Sequence, residues 1–343
     1  MKKLWLYSVT TYVRIGMFFY FKRIDIHGVE NVPKDKPVIL LGNHQNALLD
    51  AFLIATKCGR LSYFLTRASV FKKPLVSKLL KSLQMLPVYR IRDGWSNLSN
   101  NNSIFETCVD VLSKKEAVVI FPEGNHNLAR RVRLLSKGFT RIVFDTLDNY
   151  PDLDLQLVPV GLNFVNATNF PDSTAIYFGE PISAKPFVSE NRNESVLSLK
   201  ETIKEALEKL TTNIPEDNYD VTLKTLDSLH IDYLNPKDVN TCIQSNFEKC
   251  SKVVKPSNKF MKSFFKNLLI LNIFVPYLIW KFIVKPKIKE PEFIATFRFA
   301  MALTLVPIYL IFIVIIGAIT ISLSASFIYL IIVILISLLA VKL

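Results

Sequence analysis

The sequence predicts an α/β protein in which a mixed, mostly parallel sheet is flanked by helices and followed by C-terminal membrane helices. Between residues 25 and 185, short apolar runs alternate with helical patterns, as in a sheet that helices cover on both faces. Residues 299–341 contain no charged side chain, and this length is about twice the roughly 20 residues that one membrane-spanning helix needs. A chain of 343 residues is long enough for one sizeable core with additional segments.

Six β-strands are predicted from short runs of apolar and β-branched residues. They cover 37–42, 61–66, 85–90, 117–121, 155–164 and 173–178. Four helices fit between them, over 47–57, 74–83, 97–113 and 137–149. Because strands and helices alternate, residues 25–185 are predicted to form one α/β domain.

The first 24 residues have a basic start and an apolar run, a pattern that signal peptides share. However, Arg14 interrupts the run, and no small-x-small cleavage site follows it. Residues 1–24 are therefore interpreted as a membrane-associated helix, with Trp5, Tyr7 and Tyr12 at the interface. An ordinary helix packed on the core is the alternative.

Residues 186–260 are more polar and are predicted to form a helical extension or linker. Within them, 194–212 has apolar residues at helical spacing with charges on the opposite face, and two shorter helical patterns follow. The four cysteines form no C-x-x-C pair and no zinc spacing; they are Cys58, Cys108, Cys242 and Cys250. They are expected to be free thiols of a protein in a reducing compartment.

Two C-terminal segments are predicted to associate with the membrane. The apolar stretch 264–284 has basic residues on both flanks, and the positive-inside rule places both flanks on the cytoplasmic side. Residues 261–290 are therefore expected to dip into the membrane or lie on it without crossing. Residues 291–343 are expected to form a transmembrane helical hairpin over 300–319 and 325–342, with a turn near Gly317 and Ser322.

The formal net charge is +13, although half of the residues are hydrophobic. This combination suits a protein that works at an anionic membrane surface or on anionic substrates. Nucleic acid, the other usual partner of a basic chain, is disfavoured by the long apolar tail. The expected location is the membrane, with the α/β domain on the cytoplasmic face.

The stretch VILLGNHQNALLD, residues 38–50, places His44 at the end of a buried strand and Asp50 six positions later. A neutral histidine can accept a proton from a hydroxyl near neutral pH, and a carboxylate on its other ring nitrogen fixes the tautomer. The spacing requires His44 in the loop and Asp50 on the helix that follows. Since no G-x-S-x-G motif is present, direct attack by a substrate hydroxyl on an activated acyl group is favoured.

A second polar cluster follows another strand end, in FPEGNHN at residues 121–127. It contains Glu123, Gly124 and His126, and several basic residues follow it, including Lys137. Arg90 ends a further predicted strand. Basic groups around a His–Asp pair suit the phosphate of an acceptor or of a coenzyme.

Four motifs in this order and approximate spacing resemble those of the glycerolipid acyltransferases, which include glycerol-3-phosphate and 1-acylglycerol-3-phosphate acyltransferases. The motifs are NHQNALLD, PVYR, FPEGNHN and LVPVGLNF, and the resemblance covers roughly residues 20–185. It implies that His44 is the catalytic base and Asp50 its partner. It further implies acceptor binding by Arg90, Glu123 and Gly124, and it places Pro159 in the motif associated with the donor site. Lys137 is similar to the lysine that follows the third motif, and His126 is a candidate acceptor ligand or a polar loop residue.

The resemblance has two departures. Five residues separate His44 from Asp50, where the commonest spacing leaves four, and the third motif continues with Asn-His-Asn instead of Thr-Arg-Ser. Both departures resemble the fungal glycerol-3-phosphate and dihydroxyacetone-phosphate acyltransferases. The departures leave three acceptors open, which are glycerol 3-phosphate, dihydroxyacetone phosphate and 1-acylglycerol 3-phosphate. The last of these is the expected substrate.

The expected function is therefore transfer of an acyl group from acyl-CoA or acyl-ACP, the cosubstrate, to a lipid precursor, without a cofactor or a metal. Membrane lipids and the acyl carrier are the expected partners. A metal-dependent hydrolase is an alternative, with His44, Asp50, Glu123 and His126 as ligands. A non-catalytic lipid-binding scaffold is a third hypothesis.

Overall fold

A computed structural model describes residues 1–89, 101–251 and 259–343. Within these residues one sheet has eight strands: β1 (Phe21–His27), β2 (Val38–Gly42), β3 (Ser62–Arg67), β4 (Met85–Val88), β5 (Ala117–Ile120), β6 (Gln156–Phe164), β7 (Asp172–Phe178) and β8 (Ile182–Ser183). The strand order is β1-β7-β6-β2-β5-β3-β4, with β8 paired to β6.

The centre of the sheet is parallel. Leu41 of β2 pairs with Ile120 of β5 on one side and with Pro159 of β6 on the other. Strands β7 and β8 run antiparallel to β6. The predicted fold class, a mixed and mostly parallel sheet flanked by helices, is thus confirmed. Because β2 and β5 are parallel neighbours, the loops that follow them lie side by side.

Helices cover both faces of the sheet. They are α1 (Lys2–Tyr20), α2 (Ala47–Lys57), α3 (Pro74–Ser82), α4 (Asn101–Ser113), α5 (Gly138–Asn149) and α6 (Arg192–Leu210). One buried apolar layer contains Met17 of α1, Leu53 of α2 and Leu40 of β2. The opposite layer contains Ile39 of β2 and Ile142 of α5. Full burial of β2 and β6 explains why both read as continuous apolar runs.

The six predicted strands and four predicted helices all occur within two residues of their predicted bounds, wherever the described residues cover them. Position 90 of one strand and 97–100 of one helix lie outside those residues. The prediction that the first helix continues to residue 24 is wrong. The helix ends at Tyr20, because Phe21 is buried in the core and starts β1, which pairs with β7.

The two faces of α1 have different surroundings. Leu6, Val13 and Met17 are buried, and Arg14 donates to the Thr56 carbonyl at the end of α2, at 3.1 Å. The opposite face exposes aromatic residues that include Trp5, Tyr7 and Tyr12. The alternative of a core-packed helix therefore holds for one face, and membrane contact by the other face stays a prediction.

Helices α6, α7 (Tyr219–Ser228) and α8 (Pro236–Gln244) form the predicted helical extension. Leu199, Ile203 and Leu207 of α6 are fully buried against the sheet, so α6 belongs to the α/β domain and is not a linker.

A disulfide joins Cys242 to Cys250, with 4.6 Å between their Cα atoms. The prediction of free thiols is wrong for this pair, because Asn246 and Phe247 have positive φ angles and turn the chain back on itself. Cys58 and Cys108 are free and buried. The cysteines therefore no longer argue for a reducing compartment.

The C-terminal helices are α9 (Lys259–Asn272), α10 (Phe274–Leu278), α11 (Ile294–Leu303), α12 (Leu305–Thr320) and α13 (Leu323–Lys342). Two helical stretches, Pro291–Thr320 and Leu323–Lys342, are long and apolar enough to cross a membrane, so the predicted pair of apolar helices is confirmed, and their crossing of the membrane stays a prediction. The segment after α9 bends by 100°; its dipping into the membrane stays a prediction. Lys342 donates to the Phe21 carbonyl at 2.8 Å, so the C-terminal end of the hairpin contacts strand β1 of the α/β domain.

Candidate active site

The His44 loop is shaped by close packing at the ends of β2 and β5. Gly42 ends β2, and a Cβ at this position would lie 3.0 Å from the Phe121 ring, so glycine allows that ring to approach. The His44 ring stacks on Phe121, with 4.1 Å between centroids and 14° between planes. The aromatic residue of FPEG thus orients the histidine of the other loop.

Asn43 fixes the backbone immediately before His44. Its amide group donates to the Leu162 carbonyl at 3.0 Å and accepts from the Leu162 N–H at 2.7 Å. The Asn127 N–H also donates to the His44 carbonyl at 3.0 Å. The loops after β2 and β5 are therefore bound to each other and to β6.

His44 and Asp50 form the predicted pair, with 2.8 Å between Nδ1 and Oδ2. Asp50 lies in the first turn of α2 and is fully buried, and the same oxygen accepts the Asn46 N–H at 2.7 Å. A carboxylate that accepts from Nδ1–H leaves the Nε2 lone pair as the base. Burial lowers the pKa of His44 below its ordinary value, against the opposing effect of Asp50, so the imidazole is neutral near pH 7.

Glu123 lies in the neighbouring loop, and its side chain is only 2% exposed. One carboxylate oxygen pairs with Arg133, which also donates to the side chain and backbone of Asn125. The other oxygen, Oε1, is buried without a hydrogen-bond partner among the described residues. Burial raises the pKa of this carboxyl to about 7, and the Arg133 guanidinium opposes the rise. A buried oxygen without a partner is a candidate contact for a polar ligand.

Gly124 has a structural reason to be glycine. Its φ is +75°, a conformation that other residues adopt at a cost, and its N–H donates to the Phe121 carbonyl at 3.0 Å. The residue closes the turn that places Glu123.

His126 reaches the same site from the end of the FPEGNHN motif. Its ring lies edge-on to the His44 ring, with 5.6 Å between centroids. Its Nε2 is 3.0 Å from Glu290 Oε2, and its ring packs against Phe293 at 4.5 Å. Sequence reasoning missed both partners, since they lie far along the chain in a charged stretch without periodicity. Arg133 carried only a weak signal, as one basic residue among several.

Two of the predicted residues that the structure describes, Lys137 and Pro159, are not assembled around His44. Arg90 lies outside the described residues. Lys137 is exposed and precedes α5. Pro159 lies inside β6, where the ring faces Gly179 and where β6 changes its antiparallel partner from β8 to β7. The absence of a proline N–H is tolerated at such a change of partner.

The four ligands of the hydrolase alternative do not converge on one point. Among the described residues, the group of three whose ligand atoms lie within 4.8 Å of one another is His126, Glu290 and Glu292. The structure therefore separates His44 and Asp50, which pair with each other, from the residues that meet at His126.

A carboxylate-supported histidine at the strand ends of an α/β sheet can act as a general base. Residues 23–163 match the family model described as acyltransferase. Residues 23–163 therefore form an acyltransferase domain, as the four motifs predict.

Named relatives include two groups of enzymes. Glycerol-3-phosphate O-acyltransferase 1 of Saccharomyces cerevisiae is 22% identical over 144 residues, which are 40% of this chain and 19% of that protein. The chloroplastic 1-acyl-sn-glycerol-3-phosphate acyltransferase LPAT1 of Arabidopsis thaliana is 28% identical over 119 residues, or 34% of this chain and 32% of that protein. The chain thus spans no more than about a third of the length of these relatives.

Among solved structures, the 1-acyl-sn-glycerophosphate (LPA) acyltransferase PlsC of Thermotoga maritima is similar with a TM-score of 0.46 and 20% identity. The similarity covers 63% of this chain and 83% of that one.

Proposed function

We propose that this protein is a membrane-bound O-acyltransferase that transfers a fatty acyl group from acyl-CoA or acyl-ACP to the hydroxyl of 1-acylglycerol 3-phosphate. The observation that carries the proposal is the pair of His44 Nδ1 and Asp50 Oδ2 at 2.8 Å, in a loop bound to the Glu123 loop. In this proposal His44 is the general base, and Asp50 holds its tautomer.

The reaction follows from these positions. Nε2 of His44 takes the proton of the acceptor hydroxyl while its oxygen attacks the thioester carbonyl. The new C–O bond forms, the C–S bond breaks, and the leaving thiolate takes up the proton from His44. Asp50 stabilises the imidazolium that exists between the two proton transfers. No covalent enzyme intermediate is required.

Three phosphate-bearing acceptors are candidates for this site. Glu123 Oε1 is a buried acceptor for a substrate hydroxyl, and Arg133 places a cation beside it, which suits a phosphate-bearing substrate. Relatives named as 1-acyl-sn-glycerol-3-phosphate acyltransferases support 1-acylglycerol 3-phosphate as the acceptor. The longer His–Asp spacing and the similarity to the yeast glycerol-3-phosphate acyltransferases support glycerol 3-phosphate, or dihydroxyacetone phosphate, as the alternative.

The proposed orientation places the catalytic domain on the cytoplasmic face of the membrane. Lys342 contacts β1, and Arg298 contacts the loop after β6, so both ends of the hairpin carry cations beside the domain. The positive-inside rule assigns that side to the cytoplasm.

The test is acyl transfer by detergent-purified protein with labelled acyl-CoA or acyl-ACP and each of the three acceptors. His44→Ala should lower the rate roughly 10²- to 10⁴-fold, because it removes the general base. His230→Asn is the matched control, since this histidine is exposed and has a φ of 53°, which asparagine accepts. Retained transfer in His44→Ala, or none by the unmodified protein with any acceptor, would contradict the proposal.

A further inference from the structure

The segment from Glu290 to Arg298, termed here the pre-hairpin segment, connects the bent membrane-associated region to the C-terminal hairpin. It lies against the loops of the catalytic domain that follow β5 and β6 and against the first turn of α2. None of the four family motifs includes this segment, since the last of them ends at residue 164.

The first contact is with the loop after β5. Glu290 Oε2 lies 3.0 Å from His126 Nε2, and only 12% of the His126 side chain is exposed. Phe293 packs edge-on against the same imidazole, at 76° between planes. One charged and one apolar side chain of the pre-hairpin segment thus enclose a ring that is itself next to His44.

The second contact is with the helix that carries Asp50. Leu48 is the second residue of α2, and its N–H donates to Thr296 Oγ1 at 3.3 Å. A cap residue usually satisfies this N–H, but the Asn46 side chain donates instead to the Ala167 carbonyl at 3.2 Å. The pre-hairpin segment therefore supplies the cap that α2 lacks locally.

The third contact is with the loop after β6. Arg298 donates to the carbonyls of Thr168 and Asn169 at 3.0 and 2.5 Å, and to the Tyr20 hydroxyl of α1 at 2.9 Å. The guanidinium binds the loop at two points, which restrains its position better than a single contact does.

We infer that the pre-hairpin segment is a wall of the active site and that Glu290 is a positioning residue, which holds His126 in place beside His44 for the acceptor. The inference rests on the proposed function. His126 stands in an irregular loop, where a side chain without partners changes rotamer freely; a hydrogen bond on Nε2 and packing by Phe293 remove that freedom. Docking of the pre-hairpin segment thereby completes the site, so the chain is fully active only with this segment in place.

The test compares Glu290→Ala and Glu290→Gln with Glu205→Ala, a control on the exposed face of α6. Glu290→Ala should lower kcat/KM for the acceptor about tenfold, because a displaced side chain of this kind costs up to roughly 10²-fold, and should leave the KM for the acyl donor unchanged. Glu290→Gln should restore most of the loss, since its amide oxygen still accepts from Nε2–H. Glu205→Ala should match the unmodified protein.

Amide hydrogen exchange of residues 121–136 supplies a readout that does not depend on activity. Glu290→Ala and Phe293→Ala should speed exchange in this loop, whereas Glu290→Gln and Glu205→Ala should not. If the unmodified protein transfers no acyl group, the proposed function fails while the exchange data still decide whether the segment is docked.

Two results would overturn the inference. Unchanged kinetics and unchanged exchange in Glu290→Ala would show that the segment does not hold His126. A chelator-sensitive activity that Glu290→Gln and Glu292→Gln both abolish would show instead that the two carboxylates and His126 bind a divalent cation.

Discussion

His44 and His126 lie edge to face in one site, but their carboxylate partners come from different parts of the molecule. His44 is paired with Asp50, six residues away and fully buried. His126 is paired with Glu290, 164 residues away, and the Glu290 side chain is 61% exposed. The first pair belongs to the catalytic domain alone, whereas the second exists only when the pre-hairpin segment is docked.

This difference has an energetic consequence. Asp50 accepts two hydrogen bonds in a dry environment, where an ionic hydrogen bond is strong and loss of a partner is costly. Glu290 is largely in water, where an ion pair contributes little to stability. We therefore expect the His44 pair to stay intact within the catalytic domain alone and the His126 pair to depend on the docked pre-hairpin segment.

The largest effect is expected from Asp50→Asn. The amide oxygen can occupy the Oδ2 position and accept from both the Asn46 N–H and His44 Nδ1–H, so the tautomer of His44 is retained. The NH2 group then takes the place of Oδ1, which is buried without a hydrogen-bond partner among the described residues. The neutral amide cannot stabilise the imidazolium that forms when Nε2 accepts the proton, so kcat should fall roughly 10²-fold or more.

Steady-state acyl transfer measures this loss, and circular dichroism checks that the variant is folded. A variant with an unchanged kcat would show that the charge of Asp50 does not support His44, and it would remove the contrast between the two pairs.

The contrast also explains how much could be predicted from the sequence. The central strands were predictable because β2, β5 and β6 are buried on both faces and read as apolar runs. The edge strand β1 was missed because FKRIDIH is charged and follows α1 without a turn signal. His44 and Asp50 were predictable as a pair because both lie in one motif.

The sequence carries no such signal for contacts between residues that are far apart in the chain. Glu290 and Phe293 stand in KPKIKEPEF, which shows neither helical nor strand periodicity, and only the position of the hairpin brings them to His126. Similarly, a spacing of eight residues between Cys242 and Cys250 matches no motif, and the turn between them is what permits the disulfide. Thr296 reaches the first turn of α2 for the same kind of reason.

A smaller effect is expected from His126→Gln. The side chain keeps a hydrogen-bonding group near Glu290 but loses the ring that packs on Phe293 and faces His44. Acceptor kcat/KM should fall about tenfold through imperfect positioning, and the effect should not add to that of Glu290→Ala in the double variant, because both changes break one contact. Full additivity of the two losses would mean that the residues act separately.

The smallest effect is a shift of the pH profile. Burial holds the pKa of His44 below its ordinary value, so the neutral base persists below about pH 6.5, and kcat/KM should decline as the pH falls through that lowered pKa. A positive charge on His126 lowers the pKa of His44 further. The acidic limb of His126→Gln should therefore move to higher pH than that of the unmodified protein. A limb that stays in place would show that the two rings share the site without electrostatic coupling, and the edge-to-face contact would then serve only to pack His44.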